Sequence, residues 1–214
     1  MMSNIIEVKN ATKKFKNKIV FENLSLNIEE GKSYGFIGYN GCGKSVLFKV
    51  ICGFSLLNSG EILYDNKKIG KDIDFIGDTG IIIETPSFLS DLSGFKNLQI
   101  IAEILNKISE NEINDVLKLV GLFEDKDKKV SKYSLGMKQK LRIAQAIMEK
   151  PAILILDEPM NGLDKKSVEI IRNILKNHVN NGGTLLITSH NADDIEILCE
   201  NVYEFDDGKI LKVK

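Results

Sequence analysis

The stretch whose reading decides the fold is "GFIGYNGCGKSVLFKV", residues 35–50. Four glycines fall in its first nine positions. Glycine loses more backbone freedom on folding than any other residue, so such a cluster needs something to bend around. The apolar "YGFI" (34–37) reads as a short buried strand, and an apolar helical start follows the glycines. Between them, residues 38–45 spell G-Y-N-G-C-G-K-S, the GxxxxGK[ST] phosphate loop in the strand–loop–helix setting that its mechanism requires. Gly38, Gly41 and Gly43 let consecutive N–H groups turn inward as an anion nest. The helix opening near Gly43 adds its positive dipole end. Tyr39, Asn40, Cys42 and Val46 are the other members of the cradle. Lys44 is placed to reach β- and γ-phosphates, and Ser45 to ligate Mg²⁺. The plain alternative, a glycine-rich turn with an incidental lysine, does not explain the strand before it and the helix after it.

A second element is "ILILDEP", 153–159, where four apolar residues deliver Asp157 and Glu158 to a strand end. "YGFI", "AILIL" (152–156) and "TLLIT" (184–188) are short apolar runs of the kind buried on both faces of a parallel sheet. Gly38, Asp157 and His190 each follow one of these runs. Ligands of open α/β sheets bind at the carboxyl ends of the strands, so all three are expected along one edge. Asp157 would then hold Mg²⁺ through its water shell, and Glu158 would polarise an attacking water as general base. Alone, two acidic residues after a strand are as readily a solvated turn.

The rest of the chain frames these motifs. "IIEVKN" (5–10), "IVFENLSLNI" (19–28) and a hairpin at 59–69 suggest an antiparallel β layer near the N-terminus. Helical faces are read from Phe95, Leu98, Ala102 and Leu105; from Ile113, Val116, Leu117 and Val120; from Met137, Leu141, Ala144 and Met148; and from Val168, Ile171, Leu175 and Val179. Ser109 with Glu112 makes a capping box for the second of these helices. The reading is α/β: a P-loop NTPase with a mainly parallel central sheet and an N-terminal antiparallel β layer. It is taken as one domain over 1–214. Residues 1–85 and 150–214 form the nucleotide-binding core, and a helical subdomain is inserted at about 86–149.

The 214 residues carry 29 Lys+Arg against 30 Asp+Glu, a net charge of −1, so no basic field invites DNA, RNA or anionic lipid. The first residues lack the basic and apolar regions of a secretion signal, and the apolar runs are too short for a membrane span. The three cysteines, Cys42, Cys52 and Cys199, have no CxxC spacing and are expected to be reduced thiols. The two histidines cannot build a His-rich metal site. These features point to a cytoplasmic protein.

"KYSLGMKQKLRIAQAI", 132–147, is the discriminating stretch. With the motifs above it resembles the nucleotide-binding subunit of an ABC (ATP-binding cassette) transporter. Ser134, Leu135, Gly136 and Met137 match the S-L-G-M form of the family's LSGGQ signature. Physically, Ser134 and Gly136 present a hydroxyl and bare N–H groups at a helix N-terminus, a second anion site; a plain N-cap at Ser134 is the alternative. "NGLD" (161–164) resembles the D-loop, with Asp164 doubling as a helix cap. "TSH" (188–190) resembles the switch-histidine segment, placing His190 at the γ-phosphate. Phe15 stands where the family stacks an aromatic on adenine, although a core role would also suit it.

The resemblance covers nearly the whole chain, with departures. Glu84, in "IIIETPSFLSDL" (81–92), stands where the family usually has Gln. A carboxylate can ligate Mg²⁺ but cannot donate to water. Leu135 replaces the first signature glycine, and Cys42 the usual small loop residue, either as an acidified thiol or as inert packing. "IETP" with S-L-G-M-K-Q resembles the branch of bacteriocin, lantibiotic and bacitracin resistance exporters. The resemblance implies an ATPase using ATP and Mg²⁺ on the inner face of the membrane. It would work with membrane-spanning permease subunits and close on ATP as a head-to-tail homodimer, or as a heterodimer with a related ATPase. A soluble non-transport ABC ATPase would need two cassettes or long insertions, and a small P-loop kinase would not need the Ser134 segment. Lys44, Asp157, Glu158 and His190 argue against an inactive regulatory module.

Overall fold

The computed structural model describes residues 3–16, 18–84, 88–206 and 208–214. Thr85 and Pro86 of the "IETP" stretch lie outside the described residues. Strands β1 (Asn4–Phe15) and β2 (Lys18–Glu29) pair antiparallel, β3 (Ser33–Ile37) leads into the glycine loop, and α1 (Lys44–Ile51) leaves it. β4 (Ser59–Tyr64) and β5 (Lys67–Lys68) form the expected hairpin. Asp65 and Asn66 both take positive φ, as a two-residue turn between twisted strands demands. There follow β6 (Thr79–Ile82), α2 (Gly94–Leu105), α3 (Glu110–Leu119) and α4 (Leu135–Ile147). β7 (Ile153–Asp157), α5 (Lys165–Asn180), β8 (Thr184–Thr188), α6 (Ala192–Leu198), β9 (Asn201–Asp206) and β10 (Lys209–Lys212) complete the order.

Two sheets result, β2-β1-β4-β5 and β10-β9-β3-β8-β7-β6. In the second, β9, β3, β8, β7 and β6 run parallel and only β10 is antiparallel. The three parallel strands expected from the sequence lie together as β3-β8-β7. Two flanking strands, β6 and β9, are not foreseen from their residues. β6 is four residues with a glycine, "TGII", and β9, "NVYEFD", mixes polar and apolar residues.

β7 shows why the sheet is stable. Ile153 and Ile155 face one apolar layer, shared with β1, β2 and α1, where Phe48 and Phe205 each pack edge-on against Phe36. Leu154 and Leu156 face the other layer, built from α2–α6. Because successive strand side chains alternate, one strand supplies both layers, and its ends are the only place left for polar chemistry.

The helical faces read from the sequence are buried at Leu98, Ala102, Ile113, Leu117, Val120, Leu141, Ala144, Met148, Ile171 and Leu175. Leu105 departs: as the last residue of α2 it is 55% exposed, one turn beyond the packed face. The capping box forms as expected. The Ser109 N–H donates to Glu112 Oε2 at 3.0 Å, and the Glu112 N–H to Ser109 Oγ at 3.4 Å. Ser109→Ala should therefore destabilise the protein by about 1 kcal/mol. For a chain of this size thermal unfolding should register that as a fall of about 2–4 °C; an unchanged midpoint would refute it.

Candidate functional site

The glycine loop joins β3 to α1 under tight steric constraint. Gly38 has φ 138, and a Cβ there would lie 2.7 Å from the Phe205 carbonyl oxygen. Gly43, the N-cap of α1, has φ 122, and a Cβ would lie 2.6 Å from Val20. No other residue fits either place. Lys44 is buried and its ammonium donates to loop carbonyls, Gly38 O at 2.8 Å and Tyr39 O at 3.2 Å. Cys42 is buried with Sγ 3.7 Å from that ammonium. Tyr39, Asn40 and Gly41 are exposed, and Val46 packs partly against the apolar layer of α1. Tyr39, Gly41 and Cys42 also line a cavity of about 1030 Å³ with Lys18, Val20 and Thr12. Phe15 is not among the lining residues; it is 52% exposed at the end of β1, with the Lys13 ammonium 4.6 Å from its ring centroid.

Beside the loop, parallel register sets the remaining groups. Asp157 is paired with Thr188 at the ends of β7 and β8. The Asp157 carboxylate accepts the Ser45 hydroxyl at Oδ2, 2.5 Å, and the Thr188 hydroxyl at Oδ1, 2.7 Å. Thr188 Oγ1 accepts in turn from the Glu158 N–H at 2.9 Å. Glu158 sits in a left-handed backbone conformation, φ 50, uncommon for a residue with a side chain. Its Oε2 accepts the His190 N–H at 3.3 Å, and His190 Nε2 stands 3.2 Å from its Oε1. Burial pushes the Glu158 carboxyl above its ordinary range, opposed by His190 and Lys44 and reinforced by Asp157. A carboxyl raised in this way suits proton transfer better than a solvated one. The structure thus gathers Gly38, Ser45, Asp157, Glu158 and His190 on one sheet edge. Thr188, part of the quoted "TSH" but given no task from the sequence, links them. Its role depends on which strand lies beside β7, and no local pattern carries that.

Glu84, two residues past β6 and also left-handed (φ 63), forms an ion pair with Lys49 of α1. It lines a cavity of about 290 Å³ with Asp157, Glu158, Leu135 and Arg142. Ser134 caps α4, its hydroxyl accepting the Met137 N–H at 3.2 Å. Leu135 is exposed, Met137 packs partly on the helical layer, and a Cβ on Gly136 would lie 3.0 Å from the Gly162 carbonyl oxygen. The signature segment therefore abuts the "NGLD" loop of its own chain. Asp164 caps α5, accepting from Ser167 N–H and Oγ, each at 2.9 Å, and these bonds hold its carboxyl below the ordinary range.

This geometry has counterparts. A family model described as ABC transporter matches residues 21–161. An uncharacterized ABC transporter ATP-binding protein of Bacillus subtilis (strain 168) is 43% identical over 206 residues, 96% of this chain and 94% of the relative. A bacitracin transport ATP-binding protein of Enterococcus faecalis is 37% identical over 99% of this chain and 70% of its own length. Among solved structures, a dimeric post-hydrolysis ATP-binding cassette bound to ADP and Pi superposes with a TM-score of 0.84 at 24% identity, covering 98% of this chain and 99% of that one. The strand-end site sits on the fold of an ATP-binding cassette. With the family model spanning well over half its length, the chain belongs to the ABC transporter family.

The raised Glu158 carboxyl has a consequence for stability. The folded state holds this proton more tightly than the unfolded one, so stability falls as pH rises from the ordinary value of 4.5 through the raised one. Glu158→Gln should raise the unfolding temperature of the nucleotide-free protein at pH 7.5 to 8, with the gain fading as pH falls toward 4.5. Thermal scans across that range decide it; a gain that grows on acidification would contradict the assignment.

Proposed function

We propose that this chain is the ATP-binding and ATP-hydrolysing subunit of a transporter, driving substrate movement through separate membrane-spanning permease subunits. The observation that carries the reading is the hydrogen-bonded line Ser45–Asp157–Thr188–Glu158–His190 in front of the glycine loop. Residues 1–85 and 150–214 act as the nucleotide-binding core and about 86–149 as a helical subdomain. The N–H groups of Gly38 to Ser45 cradle the phosphates, with Tyr39, Asn40, Cys42 and Val46 shaping the loop. Lys44 exchanges its two carbonyl partners for phosphate oxygens, a trade of neutral acceptors for charged ones. Phe15 offers the adenine the ring face away from Lys13.

Ser45, Asp157 and Glu84 would hold Mg²⁺. The donor set fits, since a hydroxyl and a carboxylate already converge within 2.5 Å and all the ligands are hard oxygens. Among the described residues no group of three or more His, Cys, Asp or Glu could hold a metal ion by itself, which suits a cation completed by water and phosphate. Held there by Ser45, Asp157 and Glu84, such a cation would supply positive charge to neutralise the phosphates. Glu158 takes the proton of the attacking water, and His190, in contact with Glu158, faces the γ-phosphate.

One chain carries two anion-binding helix ends, α1 and α4, but one complete phosphate loop. Two copies packed head to tail place Ser134–Met137 of each against the nucleotide held by the other, with Asp164 beside that junction. Loss of the γ-phosphate removes the charge that clamps them. No helix among the described residues is long and apolar enough to cross a membrane, so a pore would be built by other chains, with this subunit on their cytoplasmic side. The bacitracin transport relative supports a peptide antibiotic as the cargo class.

Glu158→Gln should bind Mg-ATP, lose turnover by about 10²–10⁴-fold and elute as a dimer on gel filtration at saturating Mg-ATP. A strictly monomeric elution would defeat the head-to-tail reading. Ser134→Arg should suppress hydrolysis while leaving ATP affinity of the separate chain unchanged, and Lys44→Ala should abolish tight binding. Full turnover in the Ser134 variant would reduce that segment to a helix cap.

A further inference from the structure

Directly behind the His190 loop lies a pair of opposite charges for which the site so far has no use. Asp194, in the first turn of α6, is 1% exposed. Its Oδ1 accepts Arg172 Nε of α5 at 2.8 Å and stands 2.5 Å from the Arg172 Nη2. Its Oδ2 accepts the Ser189 hydroxyl at 2.8 Å. Ser189, 6% exposed, accepts the Asn191 N–H at 3.1 Å, and Asn191 Oδ1 caps α6 by accepting the Asp193 N–H at 2.9 Å. The three residues leaving β8 are thus held one by one: Thr188 on Asp157, Ser189 on Asp194, His190 on Glu158. Two of these holds lie inside the site. The middle one is fastened to the helices behind it.

Burying an ion pair is expensive, and well-packed apolar side chains often do as well for stability. A pair serving only to join α5 to α6 would not need its second carboxylate oxygen. Here that oxygen is spent on Ser189, the residue next to His190. A carboxylate can only accept, so the Ser189 hydroxyl must point at Asp194, and its lone pairs are left to receive the Asn191 N–H. The backbone on either side of His190 is thereby fixed. Arg172 cancels the Asp194 charge, so the hold adds no net negative charge beside Asp157 and Glu158.

We propose that Arg172 and Asp194 are positioning residues for His190, acting through Ser189 to hold its imidazole against Glu158 and toward the γ-phosphate. This rests on the reading of His190 under "Proposed function". The decisive variant is Ser189→Ala, which deletes the link and leaves the buried ion pair whole. Its kcat should fall about tenfold or more, the value of one hydrogen bond to a charged group, with the KM for ATP within about twofold. Arg172→Met/Asp194→Leu should reproduce that fall while remaining folded. The chain has two histidines, so the imidazole Cε1–H region of a ¹H–¹³C spectrum should contain two signals, assigned with His190→Ala. In Ser189→Ala and in Asp194→Asn the His190 signal should move while that of His178 stays. An unmoved His190 signal in Ser189→Ala, or a kcat within twofold of the parent, would overturn the proposal and leave the pair as a brace between helices. Full turnover in His190→Ala would instead overturn the role given to the imidazole, and the spectra would still show whether the pair positions it.

Discussion

The Asp157 carboxylate is the point on which the rest of the arrangement depends. One oxygen accepts the hydroxyl of Ser45 from α1, the other that of Thr188 from β8. A single side chain therefore ties the helix that leaves the glycine loop to two neighbouring strand ends. Hydrogen bonds to an ionised acceptor are the stronger kind, and both oxygens are in use. Through Thr188 the same carboxylate also sets the backbone of Glu158.

This polar junction is possible because the sheet beneath it is apolar on both faces. β7 sends alternate residues into two different hydrophobic layers, and β8 is buried along its whole length. Such strands can carry polar chemistry only at their ends, and parallel neighbours put those ends side by side. The helices between β6 and β7 share the core of the sheet's second face, so the start of α4 is held next to the Gly162 loop.

A common electrostatic pattern runs through the site. Each charged side chain read as a ligand-handling group already has a partner inside the chain: Lys44 has two loop carbonyls, Glu84 has Lys49, and Glu158 has His190. Nucleotide binding is then an exchange of partners, not the filling of bare charges. For Lys44 and Glu158, whose side chains are largely out of water, an exchange costs less than desolvating a free charge, since much of that penalty has already been met during folding.

The glycine loop was legible from eight consecutive residues, because its constraint is local: backbone N–H groups can converge only where glycine permits the turn. The Asp157–Glu158 pair and His190 were legible at one remove, since an apolar run followed by an acid or a histidine marks a strand end. The Ser109 capping box is local in the same sense. β6 and β9 are not legible in the sequence because their residues carry too little alternation or length to announce a strand, and pairing with β7 and β3 makes them strands. The Thr188 link, the Lys49–Glu84 pair and the Arg172–Asp194–Ser189 hold were also beyond the sequence. Each joins side chains from different elements, and strand order and helix packing decide which elements meet. By itself the sequence determined where the glycine loop, the helix caps and the polar strand ends stand, since turns, caps and apolar runs are properties of neighbouring residues. Only the tertiary structure decided which of those groups touch, because contacts between distant residues depend on register and packing that no short stretch contains.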